Sequence, residues 1–169
     1  VSDDVIKKKI ESEAVDTYNL RATKVKIAVE NGNVVLYGTV DKYIQKMLYE
    51  KITWKTDGVV EVDNEIRVVP KFPQPDAAIE RKVKEIVQTY RQFQGVKISV
   101  AVETGAVEVI ITLNHPADVL FLKNKIAEID GVISIDIMAK FIAFNPFALL
   151  LDAAAPRLAQ AECLDVRPA

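Results

Sequence analysis

The chain has 169 residues, half of them apolar, with 22 basic and 24 acidic side chains and a formal net charge of −2. That balance leaves no broad positive field for a nucleic-acid backbone, and one cysteine with one histidine excludes an internal disulfide framework and the usual zinc constellations. No stretch approaches the roughly 18 to 20 apolar residues that cross a bilayer, and the opening Val1 in place of Met leads us to expect a processed or trimmed chain, with a removed export signal compatible with it.

Ser2, Asp3 and Asp4 offer capping oxygens ahead of Val5, Ile6, Ile10 and Ala14, whose spacing predicts an amphipathic helix to about Tyr18. Lys7, Lys8 and Lys9 sit near its start, where the helix dipole disfavours cations, and read as a solvated face. From Val25 to Val40 apolar residues alternate on both sides of Asn31-Gly32, the signature of a β-hairpin. Asp41 is expected to cap a second helix to about Thr56, Asp57-Gly58 to end it, and Val59 to Val69 to form a third strand. Pro70, Pro73 and Pro75 then make a short, stiff linker.

The same order returns after the linker. Asp76 is expected to cap a helix through Ile79, Val83, Ile86, Val87 and Tyr90, and a hairpin to span Val96 to Leu113. Asn114 is expected to cap the next helix, with Pro116 in its first turn, and Ile133 to Phe144 to be the last strand. With no gap, an offset of 73 residues carries Val25 onto Ile98, Gly32 onto Gly105, Leu36 onto Val109, Ile6 onto Ile79, and Asp57-Gly58-Val59 onto Asp130-Gly131-Val132. The chain therefore reads as one small unit written twice: an α+β fold of two αββαβ sandwiches, each a three-stranded mixed sheet with two helices on one face, followed by a C-terminal apolar helical tail. The expected boundaries are 1–69, a linker at 70–75, 76–144, and the tail at 145–169. Units this small sit near the lower size limit for an independent core, so they are expected to pack on each other or on something else.

Catalytic inventory is thin. His115 stands before Pro116 at a helix start and reads as an exposed turn residue, and Cys163 lies in the tail with no histidine near in sequence, so no nucleophile, general base or cofactor is expected. Glu61, Asp63 and Glu65 alternate on one strand face, which either holds a cation or is simply solvated. The second helix of the first unit carries more information. At 100° per residue Ile44, Leu48, Tyr49, Ile52 and Thr56 share an arc of about 140° that serves the core, while Tyr43, Met47 and Trp54 share another of about 40°. A Tyr, a Met and the only Trp off the core side are residue types favoured at protein and lipid-headgroup contacts, and Lys51 and Lys55 are read between the arcs, in reach of phosphates. In the second unit Leu120 and Ala127 occupy the corresponding arc, with Ala117, Phe121, Leu122 and Ile129 assigned to the core. In the tail, Asn145-Pro146 opens a run in which Phe147, Leu149, Leu150 and Leu151 must bury themselves against their own domain, a partner chain or lipid.

These residues resemble the BON domain, the bacterial OsmY and nodulation domain. The first copy carries Gly32, Leu36-Tyr37-Gly38-Thr39-Val40, Gly58-Val59 and Val62-Asp63-Asn64 of that pattern; the second keeps Gly105, Gly131 and Val132 but has Ile111 and Ile137 in place of the glycine and the asparagine. Such a resemblance implies an α/β sandwich without catalytic residues or cofactor, in proteins that are periplasmic or envelope-associated, bind phospholipid or maintain the envelope under stress, and in one cytoplasmic relative bind potassium. The expected function is a non-enzymatic, envelope-associated module that attaches to a phospholipid surface or an envelope protein through Tyr43, Met47, Trp54, Lys51, Lys55 and Leu120, with the tail as a further contact. Two alternatives stand beside it, a subunit of a homo-oligomer or filament joined through the tail and a potassium- or calcium-responsive binding protein, and the cytoplasm is the alternative location.

Overall fold

The computed structural model describes residues 1–20 and 24–141. The tail, with Phe147, Leu149, Leu150, Leu151 and Cys163, lies outside the described residues. Each half runs helix, strand, strand, helix, strand: α1 (Asp3–Asp16), β1 (Lys24–Glu30), β2 (Asn33–Val40), α2 (Tyr43–Lys55) and β3 (Glu61–Val68), then α3 (Asp76–Thr89), β4 (Ile98–Glu103), β5 (Ala106–Leu113), α4 (Ala117–Ala127) and β6 (Ser134–Phe141). The two sheets are separate, with order β1-β2-β3 and β4-β5-β6. In each, the hairpin pair is antiparallel and the third strand returns parallel to the middle one, so both sheets are mixed and need the intervening helix as a crossover.

The repeat is kept pair by pair. Ile27 faces Leu36 across the first hairpin as Val100 faces Val109 across the second. Ile6, Ile10, Leu36 and Ile52 are sealed between helices and sheet in the first unit, and Ile79, Val83, Val109 and Ile126 in the second. Burying one such side chain contributes about 1.5–3 kcal/mol. Leu20 and its counterpart Phe93 are also core residues; Phe93 hangs from a 3-10 turn, Arg91–Phe93, that lies past the expected end of α3.

Helix starts differ from the expected caps in an instructive way. Ser2 caps α1, its Oγ accepting from the Val5 amide at 3.3 Å, which leaves Asp3 free to reach across the sandwich. Both Asp3 carboxylate oxygens accept from the hairpin turn, Asn31 N at 2.9 Å and Gly32 N at 3.1 Å. Asp76 does the same 73 residues on, to Thr104 N at 2.9 Å and Gly105 N at 3.0 Å, while Pro75 takes the N-cap position. These two aspartates are clamps on a turn, not helix caps. Asp41 does not cap α2 either: the N-cap is Lys42, and the Gln45 side chain accepts from the Asp41 and Lys42 amides at 2.9 and 3.1 Å. Nor does Asn114 cap α4, whose N-cap is Pro116.

Gly38 is required by a close backbone approach: its φ is +117°, and a Cβ there would collide with the Lys24 carbonyl oxygen of β1. Ile111, at the same register opposite Ile98, is fully buried in the second unit.

Candidate functional site

The two units meet through α2 and α4. Lys42 Nζ, at the start of α2, lies 3.2 Å from Asp130 Oδ1, just past the end of α4, and Tyr43 packs on the core of the second unit. Burial, then the charge of Glu50, raises the Tyr43 hydroxyl above the ordinary tyrosine value of 10.0. Between the two helices lies a groove of about 530 Å³, running from Ile44 and Glu128 near the tied end to Trp54 and Leu120 at the other.

Its apolar floor is Ile44, Met47 and Leu48 from α2 with Leu120 from α4, and Trp54 stands in the last turn of α2. Trp54 is 53% exposed and Leu120 59%, open apolar surface contributed by both facing helices. Lys51 and Lys123 line the rim, as do the carboxylates of Glu50 and Glu128. Glu50 is held from behind: Asn64 on β3 donates from Nδ2 to Lys46 O at 3.1 Å and Glu50 Oε2 at 3.3 Å, and its Oδ1 accepts from Ile66 N at 3.2 Å. That asparagine is the motif residue replaced by Ile137 in the second unit, so only one wall of the groove is braced this way.

Of the residues expected to bind, Met47, Trp54, Lys51 and Leu120 therefore come together. Tyr43 does not join them as an open contact, because the second unit half covers it. Lys55 is turned away; it lines a polar hollow of about 390 Å³ with Lys9, Glu13, Asp16 and Tyr18. Ile44, assigned to the core arc, lines the groove instead, while Ala127, assigned to the outer arc, is wholly buried and Ala117 is exposed. Helix phase alone placed these residues; which arc is covered depends on where the neighbouring unit docks.

His115 is an exposed turn residue whose carbonyl oxygen accepts from Asp118 N at 3.1 Å. Glu61, Asp63 and Glu65 lie exposed along β3, and among the described residues no three His, Cys, Asp or Glu side chains converge as ligands for an ion. No helix among the described residues is long and apolar enough to cross a membrane.

The family model of the BON domain matches residues 2–70, which makes the first unit a BON domain. The second unit, outside that match, has the same element order and sheet topology. No curated protein matches the chain. Among solved structures, the chain is similar to the C-terminal domain of CdsD, the structural protein of the type III secretion system of Chlamydia trachomatis, at 17% identity over 95% of this chain and 73% of that one, with a TM-score of 0.31. It is also similar to the periplasmic domain of the type III secretion inner-membrane protein PrgH from S. typhimurium, at 14% identity over 83% of this chain and 73% of that one, with a TM-score of 0.29. Likenesses at these scores carry no weight for what this chain binds.

Proposed function

We propose that the chain, with its BON domain at residues 2–70, is a non-enzymatic, envelope-associated binding module, and that the α2–α4 groove is where it takes hold of an envelope protein. The observation that carries this reading is the open Trp54–Met47–Leu120 surface between the units. A concave floor between two helices suits an apolar, helix-forming peptide segment, whose side chains fill a groove at three- and four-residue spacing. A lipid surface is the poorer fit: it is flat at this scale, and a rim that sets Glu50 and Glu128 beside Lys51 and Lys123 gives no net positive field toward anionic headgroups. The envelope assignment rests on the BON family.

A photo-crosslinking amino acid in place of Leu120, expressed in the cell that makes this protein, tests the reading. The expected result is one dominant adduct with an envelope protein, lost when Trp54→Asp is added. Flotation with phosphatidylethanolamine–phosphatidylglycerol vesicles is expected to be negative; flotation that requires Trp54 would replace the protein partner by lipid.

A further inference from the structure

The described chain ends close to the groove. β6 is parallel to β5, and Phe141, its last residue, pairs with Leu113. Three residues separate Leu113 from Ala117, where α4 begins, so the described chain ends beside the first turn of α4, the turn that carries Leu120. α4 has 11 residues and is about 16 Å long. Six steps of extended chain, from Phe141 to Phe147, span at most about 20 Å. A segment that begins at Phe147 is therefore within reach of the first turn of α4, which carries Leu120. The sequence that arrives there is Phe147-Ala148-Leu149-Leu150-Leu151, apolar throughout and the right composition for a floor of Ile44, Met47, Leu48, Leu120 and Trp54.

We infer that residues 147–151 of the same chain occupy the α2–α4 groove in the free protein, covering Trp54 and Leu120, so that a partner enters only by displacing them. The inference rests on the groove being a binding site and adds a regulation to it: the tail is a competitor tethered at high effective concentration, and the affinity seen by a partner is lowered by the fraction of time the tail is bound.

Trp54 is the only tryptophan, so its emission reads the groove without a label. The chain of 169 residues is compared with its Leu149→Asp/Leu150→Asp variant and with Leu120→Asp on the facing wall. The expected result, with no partner or lipid present, is a red-shifted emission and a several-fold larger acrylamide quenching constant in both variants, with unchanged far-ultraviolet dichroism. Quenching in the tail variant equal to that of the parent overturns the inference while leaving the Leu120 crosslinking result to decide the binding function separately. Emission that depends on protein concentration, with a dimer mass by light scattering, also overturns it, because the occupant is then the tail of a second copy.

Discussion

The paired aspartate clamps give the most exacting test of how the repeat is held together. In Asp3→Ala the hairpin turn loses two charge-assisted bonds, at 2.9 and 3.1 Å, from amides that are part-exposed to exposed. A hydrogen bond to a charged group contributes a net of about 1.5–3 kcal/mol when shielded, and water replaces part of each here, so the two together are worth about 1–2 kcal/mol. With a urea dependence of about 1–2 kcal/mol per molar, that lowers the unfolding midpoint by roughly 1 M. Asp76→Ala has the same two bonds to lose and the same expected shift in the second unit. Asp4→Ala is the control: an exposed acid in the same first turn, costing only its helix-dipole term of about 0.3–0.5 kcal/mol. Hydrogen exchange localises the effect, since the Gly32 amide should lose protection in Asp3→Ala while the Gly105 amide keeps it. If Asp3→Ala and Asp4→Ala have indistinguishable midpoints, the carboxylate is not what fixes the turn.

Thr104 holds φ +50° where the first unit has Asn31 at +51°, a backbone region that a β-branched residue occupies at a cost, so Thr104→Asn should raise stability by about 0.5–1 kcal/mol in a urea titration. Gly38→Ala brings a Cβ to 2.0 Å from Lys24 O at φ +117° and should cost more than about 3 kcal/mol, seen as loss of the cooperative thermal transition of the first unit. Tyr43 has a folded pKa raised above its ordinary value of 10.0, so the folded state binds its proton more tightly; that stability is complete below pH 10 and is lost as pH climbs through the folded pKa. Tyr43→Phe should therefore lose less stability than the parent in melts taken from about pH 9 to 11. Asn64→Ala leaves the Ile66 amide and Lys46 carbonyl without their partner and should cost about 1–2 kcal/mol, with Glu50 resonances shifting as the groove rim loosens.

Most of the fold was legible because the signals were local. Alternation around Asn31-Gly32 and the three- and four-residue spacing of Ile6, Ile10 and Ala14 are written in neighbouring positions, and a repeat of 73 residues showed the pattern twice. What escaped were contacts between elements far apart in sequence. Asp3 reads as a cap because caps are local, yet its partners are 28 and 29 residues away. The clamp was open to discovery all the same: Asp3 and Asp76 fall on one another, as do Gly32 and Gly105, and a carboxylate kept in both copies beside a kept turn glycine is a pairing signal. Ala127 and Tyr43 were misplaced for a related reason. Helix phase says which residues share a face, and only the position of the second unit says which face is dry.

The groove itself follows from the duplication. Met47 and Leu120 are the same position in the two copies, 73 residues apart, as are Glu50 and Lys123, and Lys51 and Asn124. The units thus meet through the same face of the same helix, the relation two subunits have across a two-fold axis. Two identical helices in that relation would bury identical side chains, and the interface would close evenly. It does not, because the copies differ at the ends of that face. Tyr43 is matched by Pro116, and Tyr43 fills the closed end against the second core. Trp54 is matched by Ala127, which is wholly buried, so the exposed indole has no aromatic equivalent in the second copy. A self-complementary joint has become one tied by an ion pair at one end, with its largest exposed side chain at the other. Trp54→Ala removes the exposed side chain that sets this asymmetry: it should leave both cores intact, with a melting temperature within a few degrees of the parent, and abolish crosslinking from position 120. A variant that loses stability by more than about 2 kcal/mol instead would mean that Trp54 serves the joint between the units and not a partner.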